Sequence, residues 1–392
     1  MLASPGTTTA PSAAALQRDA KALAQAARRF AQKPGSDDAG EFEALLQRVL
    51  SRPEPYESDV ISEAVNLLLS SGHDDCIAWL LEEVEMESEL QFIRLGKSGP
   101  TRACVLFAIP VVFPAFTEPS ATPVNSAAFQ ELHDILEEQG IIGEEARFRL
   151  LPRLFTPQEL RGRPYGDFMR LTRHLAVQLA QPHETDVSAD GEAFPPPAVV
   201  MTPLQAAPYV TLRYLVGLAL TTEEGLNELF PPLDDDADEG GETAGDGNAP
   251  GQAPGRALAQ AIEDWSGAMQ GVLDVGAPMG LHADVRFGFE LAREHNCRLQ
   301  LKAALDNAAL TLADAALAEF PLAGEDGEVI GIRLLLLDGD DRALEEMPWL
   351  TLPHESLDEA IDKLHLVLTE EGYAPADELL SGDGHTASYL LH

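Results

Sequence analysis

The sequence predicts a protein of the α/β class, with an α+β arrangement as the alternative. Three observations predict it: helical periodicity alone over residues 12–89, strands alternating with helices over 90–230, and the same alternation over 256–392. Between the two α/β halves, residues 231–255 are acidic and rich in Gly and Pro, which is typical of a linker or a long disordered loop. Residues 1–11 read as a disordered tail of Ser, Thr, Ala and Pro.

The helical region is predicted to begin with a basic amphipathic helix. Its apolar residues recur on one helical face, namely Leu16, Ala20, Leu23, Ala27 and Phe30. Residues 1–33 carry five basic residues and one acid, whereas the whole chain has a formal charge of −39. We expect this helix to dock on the acidic body, and an organellar transit peptide is the alternative for a basic, acid-poor start. Three more helices are expected, over residues 41–50, 58–71 and 74–86.

The tripeptide Gly96-Lys97-Ser98 raises the question of a phosphate-binding loop. That motif needs a glycine five residues before its second glycine, where this chain has Gln91, and the loop must open a helix. Here the apolar residues 102–109 follow and read as a strand. The sequence therefore predicts a β-hairpin whose turn is residues 96–101, with no bound nucleotide.

Periodicity and capping residues assign the remaining elements. In the first half we predict a helix over 124–139, a strand over 146–155, a short helix opened by the capping box Thr156 to Glu159, a helix over 167–180 and a strand over 209–220. In the second half we predict helices over 256–269, 284–296 and 303–320, a strand over 328–337, a helix opened by the capping box Ser356 to Glu359, and a last strand over 386–391.

Composition excludes several classes of function. A strongly acidic surface repels nucleic-acid phosphates, so no nucleic-acid partner is expected. The longest apolar stretch, residues 103–116, is short and contains two prolines, so we expect no membrane insertion. Cys76, Cys104 and Cys297 show no paired spacing and fit buried thiols in a reducing cytoplasm. No dinucleotide or calcium-loop motif is present, so no cofactor is expected.

The best polar cluster lies in residues 282–297. Its candidate metal ligands are His282, Asp284, Glu290, Glu294 and His295, and Cys297 ends the cluster. Two glutamates four residues apart share a helix face, so they could converge on a metal with a residue of the preceding turn. The alternative is a solvated face on which Arg286, Arg293 and Arg298 pair with these acids.

Two further places were weighed for chemistry. Asp338, Asp340 and Asp341 follow the clearest strand of the second half and are candidates for a ligand crevice, because crevices lie at the carboxyl ends of strands in open α/β sheets. A charged turn is the alternative there. The order His73-Asp74-Asp75-Cys76 suggests a reactive thiol, although Asp74 also suits a helix N-cap beside a buried cysteine.

Two stretches carry a resemblance to a known family. These are residues 103–111, ACVLFAIPV, and residues 146–155, ARFRLLPRLF, together with the order of helices and strands around them. In this order and spacing the chain resembles a bacterial family of proteins that carry a domain of unknown function and have about this length. The resemblance covers most of the chain, departing around the acidic segment and after Pro348. It implies no activity.

The sequence therefore favours a soluble cytoplasmic interaction protein, an adaptor or scaffold for a basic protein partner. This hypothesis rests on the strongly acidic composition, which favours a basic partner, and on the lack of a catalytic motif. The alternative is an enzyme whose site has no sequence motif, such as a metal-dependent hydrolase. Its oligomeric state is left open.

Overall fold

The protein mixes helices with antiparallel sheets. The structure, a computed structural model, describes residues 12–373 with gaps at 33–38, 53–54, 95–98, 116–125, 144, 181–208, 231–253, 269–270, 312–314, 325–326, 341 and 354. All strand pairings among these residues are antiparallel. The predicted mixture is confirmed, and its sheets are of the kind found in the α+β alternative. In the described part of the chain, no helix combines the length and apolar character that a membrane crossing requires.

Four helices form the N-terminal region and enclose a core of their own. They are α1 (Ala13–Gln32), α2 (Ala39–Leu50), α3 (Tyr56–Ser70) and α4 (Asp75–Glu89). Leu23, Leu46 and Leu68 are buried in this core. A polar contact fixes α1 on α3, because Tyr56 donates its hydroxyl hydrogen to the buried Asp19 carboxylate at 2.8 Å. The basic helix predicted at the start therefore packs on its neighbouring helices.

A five-stranded sheet occupies the centre of the molecule. Its strands are β1 (Leu90–Arg94), β2 (Thr101–Pro114), β3 (Arg147–Phe155), β4 (Val210–Thr221) and β5 (Asp274–Val275). The order is β1-β2-β4-β3, and β5 pairs with β2 farther along the edge that β1 occupies. On β2, the pairing with β1 ends at Val105 and the pairing with β5 begins at Val111. Residues 106–110 therefore lack a strand partner on that side in the described part of the sheet.

Helices cover both faces of this sheet. On one face lie α5 (Ser126–Glu138) and α8 (Pro254–Ser266), and on the other lie α6 (Pro157–Arg161), α7 (Tyr165–Ala180) and α9 (Leu281–Ala308). A short 3-10 helix, Glu224–Glu228, follows β4. Successive side chains of a strand point to opposite faces, so Phe107 and Leu106 enter different cores. This explains the unbroken apolar run over residues 103–113.

A smaller sheet is joined to the first by one long helix. Its strands, in the order β6-β7-β8, are β6 (Ala316–Ala323), β7 (Val329–Leu337) and β8 (Ala343–Leu350). The last helix, α10 (Leu357–Glu370), packs on this sheet together with the second half of α9. Helix α9 contacts both β2 and β8. Elements that precede residues 231–253 and elements that follow them therefore pack in the same hydrophobic cores. One example is the contact between Phe129 and Trp265, whose ring centroids are 5.2 Å apart.

The helix predicted over residues 303–320 is wrong beyond residue 308. Helix α9 runs unbroken through the region predicted as the helix 284–296 and ends before Ala309, whose φ of 54° is left-handed. Residues 316–323 form a strand instead. Their alanine and leucine content does not distinguish a helix from a buried strand, and pairing with β7 decides the outcome. Strands β5 and β8 were not predicted.

Most other described elements match their predictions within a few residues. The β1–β2 hairpin, strands β3, β4 and β7, and both capping boxes are confirmed. The tail over 1–11, the tripeptide at 96–98, nearly all of the acidic segment and the last strand over 386–391 lie outside the described residues.

Candidate functional site

Asp284, a predicted metal ligand, holds the first turn of α9 against the sheet. Its carboxylate is fully buried. It accepts hydrogen bonds from the backbone N–H groups of Ala108 at 2.7 Å, Met279 at 2.6 Å and Gly280 at 3.2 Å. Ala108 lies where β2 lacks a strand partner, so the carboxylate supplies the acceptor that a strand would supply. Burial raises the pKa of Asp284, while the three N–H groups oppose that shift.

His282 is also held by the protein itself. Its Nε2 atom lies 2.9 Å from Ser88 Oγ. Ser88 donates its one hydroxyl hydrogen to the carbonyl oxygen of Glu85, so Nε2 of the histidine must be the donor in this pair. Burial lowers the pKa of His282 to about 3. The ring is therefore neutral at physiological pH and contributes no positive charge.

Two other predicted ligands on α9, Glu290 and His295, have separate partners. Glu290 forms an ion pair with Lys363 at 2.7 Å, and His295 Nε2 lies 2.7 Å from Asp274. Burial raises the pKa of Glu294. Among the residues that the structure describes, no group of three or more His, Cys, Asp or Glu side chains could hold a metal ion.

The arginines of α9 reach beyond their own helix, in contrast to the predicted pairing with its glutamates. Their ion-pair partners are Glu85 for Arg286, Glu355 for Arg293, and Glu370 and Glu371 for Arg298. These pairs connect α9 to α4, to the segment before α10 and to the end of α10. Arg293 differs from the other two because its side chain and that of Glu355 are both buried.

The predicted crevice at Asp338 forms a tight turn between β7 and β8. One carboxylate oxygen of Asp338 accepts the N–H groups of Asp340 and Arg342, both at 2.9 Å. Asp341 lies outside the described residues. Ligand crevices at the carboxyl ends of strands are found in open α/β sheets, whereas β7 and β8 form an antiparallel hairpin. The charged-turn alternative describes the observed geometry.

The three cysteines are buried and not disulfide-bonded. Burial raises the pKa of the Cys104 and Cys297 thiols to about 12 and also raises that of Cys76. A raised pKa disfavours the reactive thiolate. Asp74 occupies the N-cap position of α4 without a side-chain capping hydrogen bond, so the predicted cap interaction is absent there.

A cleft of about 900 Å³ lies beside the first turns of α9. We call it the arginine cleft, because Arg161, Arg163 and Arg286 line it together with the rings of Phe168 and Phe289. Its other lining residues are Asp74, Ile77, Ala78, Leu81, Glu82, Glu85, Leu160, Tyr165, Leu281, His282, Val285, Leu352 and Pro353. Of the candidate metal ligands that the structure describes, His282 alone lines this cleft.

A second concavity, of about 560 Å³, runs beside strand β1. We call it the edge groove, and its lining residues are Glu43, Gln47, Glu83, Met86, Glu87, Leu90, Gln91, Phe92, Ile93, Arg94, Arg173 and Val177. Helix α4 separates the two concavities, because its two faces line different ones. The residues that line the cleft are Asp74, Ile77, Ala78, Leu81, Glu82 and Glu85. The residues that line the groove are Glu83, Met86, Glu87 and Leu90. Neither concavity carries a sequence motif, so sequence reasoning missed both.

Glu89, the last residue of α4, is a buried carboxyl whose protonation state affects stability. Glu89 accepts a hydrogen bond from the backbone N–H of His282 at 2.9 Å, and burial raises the pKa of its carboxyl from 4.5 to about 7. The folded state thus holds a proton that the unfolded chain has released above pH 4.5. The stability that this proton contributes is complete below pH 4.5 and is lost as the pH rises to about 7.

The variant Glu89→Gln keeps the acceptor oxygen and cannot ionise. We expect its free energy of unfolding, relative to the wild type, to rise by about 2–3 kcal/mol between pH 5 and pH 8. Urea titrations at both pH values measure this difference. Glu137→Gln removes the same charge from an exposed position and is the control. An equal difference for Glu89→Gln at both pH values would show that Glu89 is ionised throughout.

Residues 8–201 match the model of a family described as protein of unknown function (DUF2863). The resemblance to an uncharacterised family is confirmed over this range, and it implies no activity. Neither the curated proteins nor the solved structures contain a match to this chain. All residues that line the edge groove fall within the matched range, whereas the arginine cleft also uses residues 281–289 and 352–353.

Proposed function

We propose that the protein is a cytoplasmic adaptor that binds a basic, extended segment of a partner protein in the edge groove. One observation carries the proposal: a single groove contains exposed apolar side chains, an open strand edge and a wall of carboxylates. Each feature supplies a different part of peptide recognition.

The apolar part consists of three side chains that are unusually exposed. Met86, Phe92 and Val177 come from α4, β1 and α7, and their relative exposures are 46%, 53% and 52%. Exposed apolar residues are ordinary when scattered, but a contiguous group in a concavity is typical of a binding surface. Burying such rings and methyl groups against a partner supplies the hydrophobic free energy of association.

The strand edge can supply the backbone contacts. Strand β1 pairs with β2 on one side and is terminal in the described sheet. An edge strand offers its outward N–H and C=O groups to an added strand, the mode of recognition called β-augmentation. An extended segment paired there would place alternate side chains toward Phe92 and the groove.

The charge of the groove favours a basic segment. Glu43, Glu83 and Glu87 lie on the wall formed by α2 and α4, and Arg94 and Arg173 also line the groove. Burial, followed by repulsion from Glu43, raises the pKa of Glu83. Glu87 already accepts a hydrogen bond from Gln91 at 3.2 Å, so Glu83 is the carboxylate of this wall most in need of a positive partner. A lysine or arginine of the partner would relieve this repulsion. The chain's charge of −39 would also accelerate the encounter with a basic partner.

Affinity capture from the protein's own cells tests the function. The tagged wild type and the variants Phe92→Ser and Glu83→Gln/Glu87→Gln are compared at low and moderate salt, with mass spectrometry of the retained proteins. We expect a basic protein that the wild type retains and both variants lose. Moderate salt should weaken its retention, because screening reduces exposed charge pairing.

Matched controls distinguish the groove from general effects of charge and exposure. Leu366→Ser changes a side chain that is 60% exposed on α10, and Glu137→Gln/Glu138→Gln removes two exposed charges from α5. Both controls should retain the partner. Equal retention by the groove variants and the controls would contradict the proposed site.

A further inference from the structure

We propose that the arginine cleft is a second binding site, which takes a small molecule carrying one oxyanion, a carboxylate or a phosphate, on a flat apolar group. The proposal rests on the convergence of guanidinium groups and aromatic rings in one concavity of a strongly acidic protein. It is independent of partner binding in the edge groove.

The cationic part comes from two elements that meet at the cleft. Arg161 ends α6 and Arg163 follows it, while Arg286 lies on α9. Arg286 is paired with Glu85 at 2.5 Å, and Arg163 is buried, with Asp167 Oδ2 at 3.9 Å from its Nη1. Arg161 differs, because it makes no ion pair with any residue that the structure describes. Its guanidinium lies 5.3 Å from the ring centroid of Phe289 instead.

Arg161 is therefore the residue best placed to bind an anion. Its side chain is partly buried, and this burial lowers its pKa. A carboxylate or phosphate can accept two parallel hydrogen bonds from a guanidinium and would compensate this charge. The chain has 26 basic residues and 65 acids. Three arginines in one cleft are therefore more than a solvated surface of this composition would be expected to place together.

Part of the backbone at the start of α9 is already hydrogen-bonded within the protein. Helix N-termini bind anions through free N–H groups. Here the carboxylate of Asp284 accepts the N–H groups of Met279 and Gly280, and Glu89 accepts that of His282. These donors are occupied by the protein itself, so the arginine side chains would supply the recognition.

The apolar part of the cleft fits a flat group. The rings of Phe168, Tyr165 and Phe289 and the side chains of Leu81 and Val285 line it. A volume of about 900 Å³ is in the range of small-molecule sites. Asp74 and Glu82 on the α4 wall would repel a second anionic group, which favours a ligand with one.

Titrations followed by nuclear magnetic resonance test the site with four defined probes. Phenylacetate and phenyl phosphate carry both parts, phenylacetamide carries the ring alone, and inorganic phosphate carries the charge alone. At least one of the first two should bind about tenfold more tightly than phenylacetamide or inorganic phosphate. The better of the two identifies the oxyanion. Failure of both to bind, or equal binding of phenylacetamide, would overturn the proposal.

Two variants localise the binding. Arg161→Gln should weaken the anionic probe about tenfold, whereas Arg147→Gln, which removes an exposed arginine at the start of β3, should leave it unchanged. Phe289→Leu should weaken both the anionic probe and phenylacetamide. Unchanged affinity in Arg161→Gln, with the fold verified by circular dichroism, would place the anion elsewhere and contradict the inference.

Discussion

Replacing Arg293 with methionine is expected to lower the free energy of unfolding by about 3–5 kcal/mol. The side chains of Arg293 and Glu355 are 3% and 1% exposed, and two parallel hydrogen bonds of 2.7 and 2.8 Å join them. The guanidinium also donates to the carbonyl of Leu350 and lies 4.2 Å from the ring centroid of Trp349. Its removal leaves a buried carboxylate whose remaining cationic neighbour, the Lys363 ammonium, lies farther away at 3.4 Å, and this cost exceeds the lost contacts.

Urea unfolding of Arg293→Met and the double variant Arg293→Met/Glu355→Gln measures the effect. The double variant should recover part of the loss, because no buried carboxylate then lacks its guanidinium partner. Arg342→Met removes an arginine whose pair with Asp340 is about three-quarters exposed, and it should change stability little. A loss below about 1 kcal/mol for Arg293→Met would show that the pair is solvated in the folded protein.

Asp284→Ala is expected to destabilise the protein by about 3–5 kcal/mol, with no dependence on metal ions. Three backbone N–H groups lose their acceptor, and those of Ala108 and Gly280 are bonded to a side-chain oxygen in a buried setting. Each buried donor without a partner costs about 1–3 kcal/mol. Asp284→Asn keeps one acceptor oxygen and should lose less.

The same variants discriminate a structural from a metal-binding role of Asp284. Unfolding is measured before and after treatment with a chelator, and Asp306→Ala, on the exposed surface of α9, is the control. We expect the loss in Asp284→Ala to be equal in both conditions. A wild type that binds zinc, manganese or iron stoichiometrically and loses stability with the chelator would contradict the structural role and support the predicted metal site.

The sequence predicted the elements that are determined by residues close to one another in the chain. Both capping boxes are present, because the hydroxyl and carboxylate of each lie within four residues of one another. The β1–β2 hairpin follows from alternating residues on each side of a Gly-rich turn. Helices α5 and α7 follow from apolar faces repeated at helical spacing.

Elements that depend on distant partners were harder to predict. Strand β6 has an alanine- and leucine-rich sequence that fits a helix, and its antiparallel pairing with β7 makes it a strand. Strand β5 has two residues, and only its pairing with β2 identifies it. Strand β7 has the near-continuous apolar sequence that is typical of a strand buried on both faces, but Val329 and Ile330 are 45% and 42% exposed at its start.

The candidate sites could not be predicted from the sequence, because they too depend on residues far apart in the chain. The cluster over residues 282–297 is contiguous in sequence, yet α9 turns its members toward α4, β2, β5 and α10. The edge groove and the arginine cleft are assembled from elements far apart in the chain. The one sequence signal that pointed toward the proposed function was the net charge, which indicates a class of partner but no surface.

Selection of random twelve-residue peptides on the purified protein tests peptide binding in the edge groove most directly. Wild-type protein, Phe92→Ser and Leu366→Ser are used in parallel, so that peptides bound at other surfaces are recognised. The proposed function predicts peptides of net positive charge with alternating apolar residues that bind the wild type and Leu366→Ser but not Phe92→Ser. Peptides that are neutral or acidic, or that bind all three proteins equally, would contradict it.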